Sequence, residues 1–110
     1  MKFLKTRLRC TADLDNYEVQ FKKNNYYVFF DKESVLMSFN NFKYIYLDEI
    51  ATVFLRAIMK YKNLEESYKE ILKLFHYDSG NIEDEYSTKE DFISWCNSMI
   101  NNNTIKIKLV

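Results

Sequence analysis

Sixteen carboxylates, two cysteines and one histidine are the side chains in this chain best suited to acid–base, nucleophilic or metal chemistry. Carboxylates stand adjacent at Asp48-Glu49, Glu65-Glu66, Asp84-Glu85 and Glu90-Asp91. Adjacent residues on a helix point about 100° apart, so adjacency alone builds no acid–base pair. Three of the four pairs are explained by helix N-termini, where the dipole favours negative charge without any further role. His76 is the only histidine, which excludes a histidine-based metal cluster or a His–His acid–base pair. It sits late in an expected helix, where a cation suits the dipole. Cys10 and Cys96 lie far apart and match no metal-ligand or disulfide spacing, so they read as two reduced thiols. One glycine cannot make a Gly-rich phosphate loop, and no Gly-x-Ser-x-Gly elbow, Cys–His pair or zinc signature is present. The expectation is a chain that is not an enzyme and uses neither metal nor cofactor.

If the chain does no chemistry, it binds, and its elements decide what it can bind. At 110 residues with 47% apolar and 29% charged side chains, it reads as a single globular domain spanning 1–110. No apolar run approaches the roughly 20 residues of a membrane span. Met1 to Arg7 alternates charge with apolar side chains and lacks a signal-peptide core, so a cytoplasmic location is expected. Zero net charge argues against a nucleic-acid partner, because phosphate contacts need surplus Lys and Arg.

The first half alternates with the period of strands. Leu4, Thr6, Leu8 and Cys10 interleave with Lys5, Arg7 and Arg9, and Tyr17 to Phe21 alternates again. Lys22 to Asn25 reads as a turn before the β-prone run Tyr26-Tyr27-Val28-Phe29-Phe30. Asp31 to Ser34 breaks that run. Val35 to Phe39, a turn at Asn40-Asn41, and Phe42 to Leu47 form the clearest hairpin.

Helical periods take over at Asp48, a cap for a stripe of Ile50, Val53, Phe54, Ala57, Ile58 and Tyr61. Asn63 with Glu66 opens a second helix carrying Leu64, Tyr68, Ile71, Leu72 and Phe75. Tyr77 to Tyr86 reads as a loop. Ser87 with Glu90 opens a third helix with the stripe Phe92, Ile93, Cys96, Met99 and Ile100. Thr104 to Val110 alternates as a final strand. The fold class is α+β and winged helix-turn-helix-like: N-terminal antiparallel strands, three α-helices, then an extra C-terminal strand. The alternating segments at the two ends either pair with each other or extend the sheet.

An edge strand carries unpaired N–H and C=O groups that can template another chain. Phe42 to Leu47 is the candidate edge, with Tyr44 and Tyr46 on one face and Lys43, Ile45 and Leu47 on the other. Trp95 falls at the border of the third helix's stripe, where a Trp either rims the core or anchors an interface.

Val35-Leu36-Met37-Ser38-Phe39, a turn, Lys43-Tyr44-Ile45-Tyr46 and then Leu47-Asp48-Glu49-Ile50-Ala51 resemble the PqqD-like peptide-recognition domains. These are also called RiPP recognition elements, after the ribosomally made, post-translationally modified peptides they serve. Leu47 to Ala51 stands where the family has Leu-Asn-Glu-Thr-Ala. Leu64 to Phe75 matches its second helix, and Asp91-Phe92-Ile93-Ser94-Trp95-Cys96 resembles the start of its third. The likeness covers residues 26–103, leaving 1–25 as an N-terminal β extension and 104–110 as a C-terminal strand.

The resemblance implies a winged helix that captures the leader of a precursor peptide as an added antiparallel strand. It then delivers the peptide to a separate modifying enzyme. It implies peptide contacts at Phe42, Lys43, Tyr44, Ile45, Tyr46 and Leu47, with Lys89, Trp95 and Met99 on the groove's other wall. Two readings compete with it. One is a structural or inhibitory interaction domain that self-associates through its edge strands as a homodimer. The other is a winged-helix DNA-binding regulator, which Glu90 and Asp91 disfavour at the start of the would-be recognition helix.

Overall fold

Alternation and helical period place the elements close to where the sequence puts them. The computed structural model describes residues 3–4, 8, 14, 17–38, 42–75 and 82–109, with backbone alone at 3–4 and 82–87. Cys10, His76 and the Asn40-Asn41 turn lie outside the described residues. In chain order the elements are β1 (Phe3–Leu4), β2 (Tyr17–Phe21), β3 (Asn25–Phe30), β4 (Glu33–Ser38) and β5 (Lys43–Leu47). Then come α1 (Glu49–Tyr61), α2 (Leu64–Phe75), α3 (Ile82–Asn101) and β6 (Ile105–Leu109). This is the expected α+β layout of antiparallel strands, three helices and a C-terminal strand.

The strands form two antiparallel sheets, ordered β1-β6-β2 and β3-β4-β5. The chain ends therefore pair with each other: β6 runs between β1 and β2, with Leu4 and Val19 both opposite Ile107. Ile105 and Ile107 point into the core while Lys106 and Lys108 are half-exposed, as period 2 requires. In the second sheet Val28 faces Val35, and Val35 faces Tyr46. Its first hairpin turns on Asp31-Lys32 alone, with Asp31 at φ 58°, so Glu33 and Ser34 belong to the strand and not to the break. A positive φ at the first turn residue matches the right-handed twist of the flanking strands.

Asp48 caps α1 as expected, its carboxylate accepting from the Ala51 N–H at 2.8 Å. The Asn63 side chain accepts from the Glu66 N–H at 3.0 Å at the start of α2. The stripe of α1 is rotated from its expected position: Thr52 and Leu55 are buried, and Ile50 projects into solvent. The third helix begins at Ile82, so Ser87 lies inside it and is not its cap. Glu83, Asp84 and Glu85 favour an N-terminus there through the helix dipole, and no Gly or Pro interrupts the run to Asn101. At the other end Asn103 takes φ 60°, and the Thr104 N–H reaches back to the Met99 carbonyl at 2.9 Å, which turns the chain into β6.

One apolar cluster joins both sheets to all three helices, including Val19, Leu36, Phe54, Ile58, Ile71, Phe92, Cys96 and Ile107. A buried side chain also stitches the N-terminal segment to α3. The Leu8 N–H donates to Asn97 Oδ1 at 2.7 Å, and Asn97 Nδ2 donates to the Leu8 carbonyl at 3.1 Å. This amide satisfies a buried main chain as a neighbouring strand would. Asn97→Ala should therefore cost about 2–3 kcal/mol by urea unfolding, because both Leu8 groups lose their partner.

Tyr27 lies on the inner face of β3, edge-on to Phe21 at 5.8 Å, and its buried hydroxyl has no hydrogen-bond partner. Burial pushes its pKa up from 10.0 to about 12. A folded pKa above the unfolded one means stability present below pH 10 and lost as pH rises toward 12. Tyr27→Phe should leave neutral-pH stability within about 1 kcal/mol and flatten the alkaline fall in chemical-denaturation midpoints between those pH values.

Candidate functional site

The strand β5 pairs with β4 alone, so among the described residues its other edge has no strand partner. Alternate N–H and C=O groups along such an edge point outward and are available to an added strand. Period 2 sorts its side chains. Leu47 is buried and Ile45 half-buried against α1, whereas Tyr44 and Tyr46 stand 75% and 60% exposed on the opposite face. Lys43 is exposed at the strand's start.

Several contacts hold this edge in place. Thr52 on α1 donates to the Leu47 carbonyl at 3.1 Å, which spends its only hydroxyl proton. Ser34 of β4 must then be the donor in its 2.8 Å bond to Thr52 Oγ1. That chain of buried hydroxyls fixes the end of β5 to both β4 and α1. Across the outer face Tyr46 donates to Glu33, and this hydrogen bond is the main cause that raises the Tyr46 pKa. On the next turn of α1, Arg56 donates to the Asp31 carbonyl at 3.0 Å and lies 4.3 Å over the Phe29 ring.

Not every residue expected at the site is brought to it. Phe42 lies in the turn before β5 at φ 52° and is 85% exposed, so the ladder starts at Lys43. Positive φ is sterically costly for a side chain of that size, and it ends the pairing there. Leu47 can offer only its backbone, because its side chain is in the core. Met99 is 1% exposed and belongs to the core, so it makes no wall for a ligand. Its place on the α3 stripe with Phe92 and Cys96 is the reason. Trp95 is half-buried, packed 5.7 Å from the Phe54 ring, with a buried Nε1–H that has no hydrogen-bond partner. Lys89 is half-buried on α3.

Two residues of α3, Thr88 and Asp91, reach a concave surface. With Ile50 and Phe54 of α1 and Phe75 of α2 they line a depression of about 190 Å³. Ile50 is three residues beyond the end of β5, so the depression lies where the edge runs into the helix. A segment antiparallel to β5 would begin at this end. The helical wheel alone puts Ile50 on the core side with Phe54; the structure leaves it exposed at the rim of the depression. A larger cleft of about 480 Å³, lined by Lys22, Lys23, Lys106, Asn103 and neighbours at the β2–β3 turn, is polar and basic.

Among the described residues no three His, Cys, Asp or Glu side chains gather as metal ligands. Burial raises the Cys96 pKa far above the range of a reactive thiolate. No helix among the described residues is long and apolar enough to cross a membrane. Comparison with protein-family models, with curated proteins and with solved structures found no match.

Core and rim of the depression should separate in stability measurements. Phe54→Ala removes a ring in contact with Phe75, Phe92 and Trp95 and should cost about 3–5 kcal/mol. Ile50→Asp, at an exposed position in the first turn, should change urea-unfolding stability by less than about 0.5 kcal/mol.

Proposed function

We propose that this chain is a non-catalytic peptide-binding module that takes an extended segment as an added antiparallel strand on β5. The observation that carries the reading is the edge of β5, which has no strand partner among the described residues, is anchored from behind through Leu47 and ends at the apolar depression. Main-chain hydrogen bonds along Lys43–Leu47 supply register and part of the affinity. Side chains on the outer face meet Tyr44 and Tyr46, and an apolar side chain near the start of the segment enters the depression beside Ile50. Trp95 acts from behind, by holding the Phe54 ring that lines it. Lys89 is the cation on this helix for an acidic group of the peptide.

The partner that the resemblance to PqqD-like recognition domains suggests is the leader of a ribosomally made precursor peptide, passed to a separate modifying enzyme. On that resemblance, its hydrophobic strand, aromatic-rich strand and following helix would correspond to β4, β5 and α1. A DNA-binding reading fits less well, because Glu90 and Asp91 are both exposed on α3 and repel phosphate.

Proline scanning tests strand addition with an internal control, because only alternate β5 residues direct their N–H outward. Of Tyr44→Pro and Ile45→Pro, one should keep its circular dichroism and lose binding to the precursor peptide at least about a hundredfold by calorimetry. The other removes an N–H of the β4–β5 ladder and should lose stability. If both variants fold and both bind with wild-type affinity, strand addition on β5 is wrong.

A further inference from the structure

The face of the second sheet that points away from the helices is apolar across all three of its strands. Tyr26, Val28 and Phe30 on β3 and Tyr44 and Tyr46 on β5 are each between 38% and 75% exposed. Their strand register puts them in rungs, with Tyr26 and Tyr44 flanking Met37 and with Val28 and Tyr46 flanking Val35. The formal charges beside this face gather at one end of the sheet, where Glu33 is hydrogen-bonded to Tyr46 and Asp48 lies close enough to act on the same ring.

We propose that this face is the contact surface of a homodimer, in which two copies stack the outer faces of their β3-β4-β5 sheets about a two-fold axis. Aromatic side chains bury 150–250 Å² each, so the exposed fractions here amount to roughly 600 Å² on one copy. That exceeds or equals the largest apolar patch of a typical monomer. Two copies would bury roughly 1,200 Å², the lower end of what a specific, stable complex needs. The partner is a second copy because the surface suits itself. A pleated face of rings and aliphatic groups packs on its own image at the ordinary sheet-to-sheet spacing. Among the described residues the strands of this face carry no basic group on it, so it offers no alternating charge pattern to select a different partner. The chain's formal net charge of zero leaves no overall repulsion between copies. Stacking by faces leaves the β5 edge open in each copy, unlike an edge-to-edge dimer, which consumes it.

The test is sedimentation equilibrium of the full chain from about 5 to 200 µM, compared with Val28→Lys/Phe30→Lys. Both substitutions are on β3, away from the peptide edge, and bring like charges together across the two-fold axis. The wild type should reach twice the chain mass, and the double variant should remain monomeric, with dimer affinity reduced at least about a hundredfold and circular dichroism unchanged. A wild type that stays monomeric throughout overturns the proposal, as does a double variant that dimerises with unchanged affinity. If the double variant does not fold, isotope-filtered NOEs in mixed labelled and unlabelled wild type decide. Intermolecular NOEs at Val35 and Met37 support face stacking, and a dimer lacking them overturns it. Peptide binding by the double variant is a separate readout: its retention with loss of the dimer leaves the peptide-binding reading standing by itself.

Discussion

The packing of α1 against the inner face of β4 and β5 is the constraint on which the rest of this structure depends. Phe54, Leu55 and Ile58 are buried on one side of the helix, and Leu36 and Leu47 are buried on the sheet. Because side chains alternate along a strand, putting Leu47 and Ile45 inside forces Tyr44 and Tyr46 outside; a one-residue slip would exchange the two sets. The Ser34–Thr52–Leu47 hydroxyl chain adds a polar lock at the same junction. The sheet and the helix are thus fixed to each other in one register, and both exposed features of β5 follow from it.

Those features share Tyr44 and Tyr46 but offer different groups. The edge offers hydrogen bonds in a line, while the outer face offers rings in a plane. A strand added at the edge would widen the sheet without displacing any side chain of its outer face. The remaining sheet, β1-β6-β2, closes the two chain ends onto the helices: the Val19 N–H reaches the Lys62 carbonyl at 2.8 Å, and Asn97 clasps Leu8.

Much of this was legible in the chain because binary patterning and caps are local. The alternation of Tyr17 to Phe21 and Ile105 to Leu109, the caps Asp48 and Asn63, and the α3 stripe all stand in the structure as the pattern puts them. The pairing of the two chain ends was one of two open choices, since alternation identifies a strand without naming its neighbour. What was not legible depended on longer-range geometry. Nothing local says that Phe42 takes positive φ or that Ile50 stays in solvent, and the Ser87–Glu90 capping pattern competed with the acidic start of α3 at Ile82. Met99 illustrates the reverse: its own stripe already placed it in the core, and the family likeness pulled it toward the site. Thr88, Asp91 and Phe75 converge from two helices, a meeting that spacing along the chain does not encode.

The central claim, that β5 is a docking edge, is tested most directly by amide chemical shifts. The isotope-labelled chain is titrated with the leader of a precursor peptide encoded beside its gene. The account predicts saturable shifts confined to Lys43–Leu47, to Ile50 and Phe54, and to the Thr88–Asp91 turn of α3, at low-micromolar peptide (about −8 kcal/mol). Saturable shifts that leave β5 unmoved and gather elsewhere, such as around Lys22, Lys23 and Lys106, would contradict it.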